Sequence, residues 1–281
     1  MSEITINDKY RVVNTLFSDP NQSVYYVNNS LSETKCDLIM NEIKDKKIVS
    51  QLIDVFLDNN EALKSNFVEF FFKESKFYVV SRISPGETLG NIILKTILSE
   101  AEKIDIAGSF LQELTKLEEL PLSIQQVLCN FGNISVAGNK DVYFNHFLSF
   151  TKEDFLVKKE DIIAKAGDIL TAIYMNSLYF RREDINKLPE EVVRIINRCM
   201  NREYTSISQI CEEFKNNVRL PEEEQAAFGL EHLFQRNRVF LSRKEKNDRN
   251  KRKQKKIRLY LEIAGVIVVM TLLGVILSTK L

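Results

Sequence analysis

Through about its first eighty residues the chain alternates apolar and polar positions with the two-residue period of half-buried strands, and from Leu89 onward the period lengthens to that of helices. Strands are expected at Tyr10–Phe17, Val24–Asn28, Cys36–Ile43, Val68–Phe72 and Lys76–Ile83, the last two joined by the polar turn Lys73-Glu74-Ser75. A helix over Lys47–Leu57 is expected between the third and fourth strands. Farther on, Ile104, Ala107, Leu111 and Leu114 share one helix face, as do Val192, Ile195, Ile196 and Cys199. A short β interlude, Ile134–Val136 and Val142–Phe144 around the turn Ala137-Gly138-Asn139, interrupts the helical portion.

A different pattern occupies the C-terminus. Leu259–Leu277 is an apolar run whose nineteen residues, at about 1.5 Å each, make roughly 28 Å of helix against a hydrocarbon core of about 30 Å. Glu262 falls within a turn of its start, where a carboxylate reaches the headgroups or Arg258. The run Arg243–Arg258 holds ten Lys/Arg against Glu245 and Asp248, and such an excess beside a span stays on the cytoplasmic side. The expectation is a single C-terminal transmembrane helix with the residues before it cytosolic and only a short stub beyond it. The same cations are expected to meet anionic lipid. Ahead of them, Ala226, Ala227, Leu230, Leu233 and Phe234 recur at helical spacing, as in a helix that packs on the body or self-associates. The N-terminus has no basic region followed by an apolar core, so no signal peptide is expected.

Charge sharpens this division. The whole chain is balanced, with 39 basic and 39 acidic residues. Since the basic run alone carries a net +8, the remainder carries −8, which argues against nucleic acid as a partner of the main body. Cys36, Cys129, Cys199 and Cys211 show no CxxC spacing and sit in apolar stretches, as buried thiols in a reducing compartment do. With His146 and His232 the only histidines, a histidine-based metal site or catalytic triad is not expected.

The element order and several local motifs resemble a bacterial Ser/Thr protein kinase over about Tyr10 to Phe214. Tyr10-Arg11-Val12-Val13, Leu16 and Val24-Tyr25 are spaced like a kinase's first two strands around the Gly-rich loop. Phe77–Ile83 followed by Ser84-Pro85-Gly86-Glu87-Thr88-Leu89 looks like the fifth strand and hinge. Asn133-Ile134-Ser135-Val136 resembles the end of the catalytic loop, Gly167-Asp168-Ile169-Leu170 the Asp that opens the central helix of the C-lobe, and Leu188–Met200 a late helix. The resemblance implies an α+β, bilobed protein kinase-like fold followed by a single transmembrane helix. Its parts would be an N-lobe over residues 1–83, a helical C-lobe over 84–220, a helical and basic juxtamembrane segment over 221–258, and the span over 259–277.

Phosphoryl transfer in that family needs a Gly-rich loop, a strand lysine, a catalytic-loop Asp and a metal-binding Asp. Here the loop's glycine positions fall on Phe17, Asp19 and Gln22, and no glycine precedes Gly86. The lysine position falls on Met40 or Asn41, the catalytic Asp on Leu128, five residues before Asn133, and the metal Asp on Asn145. Leucine accepts no proton, and an amide offers Mg²⁺ no anionic oxygen. The resemblance therefore implies a pseudokinase whose degenerate positions are Met40, Leu128, Asn133 and Asn145, with no cofactor and nucleotide not expected. Such a domain, tethered to a membrane, would act as a scaffold by protein–protein contacts. Two alternatives stand beside it. One is an atypical active Ser/Thr kinase using Lys44 and Asp141, or an ATP-binding regulator; the other is a structural membrane adaptor with no kinase ancestry, which predicts a fold without the two lobes. The arrangement of kinase-like domain, basic linker and span also resembles the membrane pseudokinase component of type VII secretion machines.

Overall fold

The computed structural model describes residues 5–30, 37–57 and 66–219. The chain divides into two units, Met1–Leu220 and Pro221–Leu281. The basic run 243–258, the apolar run 259–277, the segment 221–240 and Cys36 lie outside the described residues. Among the described residues no helix is long and apolar enough to cross a membrane.

The N-terminal portion is one antiparallel sheet. β1 (Thr5–Ile6), β2 (Tyr10–Ser18), β3 (Gln22–Asn29), β4 (Leu38–Ile43), β5 (Phe67–Lys73) and β6 (Lys76–Arg82) pair in the order β1-β2-β3-β4-β6-β5. The β5–β6 hairpin closes through Glu74 and Ser75, both with positive φ, a two-residue turn whose twist suits the strands it joins. β2 slips register twice against β3, between Val12 and Asn14 and between Thr15 and Phe17. Such irregularities twist a hairpin. Every residue of β4 is buried, as expected of a central strand.

Alternation decides what each face of the sheet meets. Tyr10, Val27, Leu38, Met40, Tyr78 and Val80 form a cluster of their own on one face. Ile43, Phe77 and Val79 instead join the main core, together with Ile48, Leu52 and Val55 of helix α1 (Lys46–Leu57). Asp45 starts that helix by accepting from Lys47 N at 2.8 Å.

The helical portion follows β7 (Glu87–Thr88). It comprises α2 (Leu89–Lys95), α3 (Glu100–Lys116), α4 (Leu122–Leu128), α5 (Lys159–Met175), α6 (Arg182–Ile185), α7 (Glu190–Met200) and α8 (Ile207–Asn217). β7 pairs with β8 (Ile134–Val136), which pairs with β9 (Val142–Phe144). Gly86, at φ +100°, turns the chain onto β8, where a Cβ would stand 2.1 Å from Val136 O. Only glycine fits there. Gly167 lets α5 lie against α7, since a Cβ would come within 2.7 Å of Cys199 Cβ. Asn176, in the left-handed conformation at the end of α5, donates to Ile93 O and Thr96 O and accepts from Leu98 N. One amide thereby fixes the α2–α3 connection.

Most expected elements stand within two residues of their expected ends. Asp168 does not open the central helix: α5 begins at Lys159, and the carboxylate serving its start is Asp161, which accepts from Lys158 N at 3.0 Å. Asp168 lies mid-helix with its side chain towards solvent. Cys129, Cys199 and Cys211 are buried free thiols, and burial pushes the first two up to about 12.

Candidate functional site between the two lobes

The groove between the sheet and the helical portion is crossed by the residues that follow β9. The described hydrogen bonds thread Asn145–Phe150 through it as an extended segment, held largely by side-chain amides in place of a neighbouring strand. A carboxamide presents one acceptor and two donors on a planar group, so it can pair with a peptide unit as another backbone would.

Three carboxamides do this work along the segment. Asn41 points from the inner face of β4, donating to His146 O at 2.8 Å and accepting from Leu148 N at 2.8 Å. At the start of β3, Gln22 donates to Phe150 O and accepts from Phe150 N at 2.9 Å. From the helical side Asn133 accepts from Phe147 N at 3.0 Å and donates to Phe147 O at 3.1 Å and Val127 O at 2.8 Å. The backbone O of Asn133 also takes Asn145 N at 2.6 Å. Asn41, Gln22 and Asn133 are all buried, and the Asn41 and Gln22 bonds form where water competes little for them.

The segment's own side chains complete the closure. Asn145 Oδ1 accepts from the hinge amide Ser84 N at 2.8 Å, and its Nδ2 donates to Ser135 Oγ at 2.6 Å. His146 Nδ1 meets Ser81 Oγ of β6 at 2.9 Å. With 2 % of its surface exposed, the imidazole is held neutral: burial pushes it down to about 4.

The four expected positions are thus placed apart. Asn133 and Asn145 both belong to the closure. Leu128, fully buried at the end of α4, is part of the main core. Of Met40 and Asn41, the structure aims Asn41 at the groove and packs Met40 on the opposite face of the sheet. At the tip of the β2–β3 hairpin, Asp19 accepts from Asn21 N at 2.7 Å and Gln22 N at 2.9 Å, so the turn's amides are committed to its own carboxylate. Lys44 pairs with Glu42 at 3.5 Å, and Asp141 sits in the exposed β8–β9 turn bonded to Asn139. The roles of Gln22, Asn41 and Ser81 in closing the groove were not foreseen from the sequence. The one signal available was the run of amides at positions where the resemblance leads one to expect glycine, lysine and aspartate.

Beside the closure the groove keeps a cavity of about 500 Å³, lined by Leu16, Gln126, Asp154 and Lys165 among others. Half-buried Lys165, on α5, donates to Gln126 O at 2.8 Å. Burial holds its ammonium below the usual lysine range. Asp154 accepts from Thr151 N at 2.6 Å and Thr151 Oγ1 at 2.9 Å. Among the described residues there is no cluster of three His, Cys, Asp or Glu arranged to hold a metal.

No protein-family model and no curated protein matches the sequence. Among solved structures, the chain is similar to the kinase domain of Mycobacterium tuberculosis PknI. The match has probability 1.00, a TM-score of 0.52 and 10% identity, and covers 78% of this chain and 99% of that one. At that identity the likeness establishes the fold alone. The fold is protein kinase-like, with the mixed α/β composition and curled antiparallel sheet of such an N-lobe, and the reading of an adaptor without two lobes is set aside.

Proposed function

We propose that this protein is a catalytically inactive, kinase-like scaffold, held at a bacterial cell membrane by its C-terminal residues and working by protein–protein contact on the cytoplasmic face. One observation carries the reading: Asn145–Phe150 crosses the groove where a kinase-like fold would take nucleotide, with the hinge amide Ser84 N already bonded to Asn145 Oδ1. A nucleotide would have to displace a set of buried hydrogen bonds before gaining any of its own. The residues at the chemical positions add to it. Leu128 has no lone pair for a hydroxyl proton, and Asn41 supplies no cation for phosphate. Lys44 and Asp141, the pair an atypical kinase would need, are engaged locally with Glu42 and Asn139.

The test uses the full chain in mild detergent, with thermal unfolding followed with and without Mg-ATP and radiolabel transfer followed from γ-labelled ATP. The expected result is an unchanged melting temperature and no incorporated label. Robust incorporation, abolished by K44A or D141A, would replace this reading with that of an active kinase. Membership of a bacterial envelope complex, such as a secretion machine, is tested by crosslinking the protein in its native membranes and identifying what is attached.

A further inference from the structure

The two edges of the large sheet differ. β5, at one edge, carries Glu69 and Lys73 and is half-buried at most positions. At the other, β1 pairs only with Tyr10 and Arg11, and among the described residues no strand pairs with the outer side of residues 12–18 of β2. These residues hold no charge and no proline, two of the devices by which edge strands avoid being paired. A third device, the bulge, is present. β2 slips register twice against β3, and the surplus residues Val13 and Leu16 stand out 50 % and 45 % exposed, with Phe17 38 % exposed beside them. Such slips add twist and shorten the run that a new strand can follow, but they leave its backbone groups without partners.

The strand's chemistry fits an antiparallel copy of itself. A two-fold axis through a sheet keeps every residue on its own face, so only residues that share a face can stand opposite one another. Val12 and Thr15, opposite Val27 and Tyr25 of β3, lie on the outer face, and Ser18, opposite Ser23, joins them. Asn14, opposite Tyr26, lies on the groove face with Leu16, which lines the cavity. An axis at Thr15 obeys the rule: Val12 meets Ser18, Asn14 meets Leu16, and the two Thr15 side chains meet each other. An axis at Asn14 breaks it, because Val12 would face Leu16. The Thr15 register also sets exposed Val13 against Phe17 and brings Arg11 of one copy towards Asp19 of the other, so apolar meets apolar and the charges at both ends of the contact are opposite. We propose that β2 pairs with β2 of a second copy of this chain, antiparallel about Thr15, joining two six-stranded sheets edge to edge. A short ladder of this kind belongs to the low end of interface sizes, below roughly 1,200 Å², so the pair is reversible on dilution. The contact draws only on the sheet and holds whether or not the protein transfers phosphate.

Cysteine crosslinking of full chains in mild detergent tests it. Residues directly opposite in such a pair hold their Cβ atoms about 4.5–5.5 Å apart, within reach of a disulfide after a small adjustment. Under mild copper oxidation a mixture of V13C and F17C chains should crosslink at least about ten-fold faster than either chain alone, than the parent chain, or than F72C, whose exposed substitution lies on the opposite edge. Thr15 is exposed, so charge can be placed at the axis without disturbing the core. A mixture of V13C/T15K and F17C/T15K, in which two lysines face each other, should lose the crosslink with an unchanged melting temperature. Pairing V13C/T15K with F17C/T15E should restore it. Crosslinking no faster in the V13C and F17C mixture than in the separate chains, or undiminished when both partners carry T15K, would overturn the proposal.

Discussion

His146 concentrates the energetics of the closed groove in one ionisable side chain. Its pKa is pushed down to about 4 by burial, whereas the unfolded chain holds it near about 6.5. Between these values the unfolded state binds a proton that the folded state refuses, so stability is intact above about pH 6.5 and is lost as pH falls towards about 4, by a total on the order of 3 kcal/mol. Urea-unfolding midpoints measured down through that window should fall for the native sequence. They should fall less for H146Q, whose amide can still meet Ser81 but takes no proton. Asn41 makes the complementary point with a neutral group. N41A strands His146 O and Leu148 N, both buried, at a cost of about 2 to 4 kcal/mol, read from the same denaturation curves. From sequence alone Met40 and Asn41 stood as alternatives, and local pattern could not choose between them. Neighbouring strand residues point to opposite faces, and which one meets the groove depends on the register of β4 between β3 and β6.

At the scale of elements, period and turn chemistry made β2, β5, β6, α1 and the β8–β9 hairpin legible, because each is decided by residues close together in the chain. β7 was not legible. Its two residues become a strand only by pairing with Ser135 and Val136. Asp168 misled for a related reason: an acidic residue after glycine looks like a helix start, but the apolar face of α5 extends well ahead of it, through Ile162 and Ile163. The segment Asn145–Phe150 is the extreme case, because its partners are Asn41 and Gln22, 105 and 128 residues away. No local pattern announces such a segment. Hydrogen exchange offers the direct check on it. The amides of Phe147, Leu148 and Phe150, bonded to Asn133, Asn41 and Gln22, should exchange slowly in the native chain. In a Q22A/N41A double variant, Leu148 and Phe150 should lose protection first while α3 and α5 keep theirs. Uniform loss across the molecule would mean that the segment is no separate element.

For the whole molecule the question is how a closed, kinase-like body and a strongly basic C-terminal stretch work together. Fixing the lobes by Gln22 and Asn41 from one side and Asn133 from the other leaves little scope for the opening and closing by which such a fold would cycle nucleotide. On the scaffold reading proposed above, function would fall to surfaces and to where they are held. If Arg243–Arg258 meets anionic headgroups and Leu259–Leu277 spans the bilayer, the two contributions separate experimentally, because electrostatic adhesion is screened by salt and hydrocarbon burial is not. The full chain should remain with membranes through both high salt and alkaline extraction. A chain stopped after Arg258 should bind vesicles rich in phosphatidylserine, at about 1 kcal/mol per basic residue near the surface, and leave them as salt rises. A chain stopped after Ser242 should not bind them at all. Release of the full chain by salt alone would leave the apolar run without its membrane role and reduce the anchor to a charged patch, and the scaffold would then meet its partners in solution, without the concentrating effect of a surface.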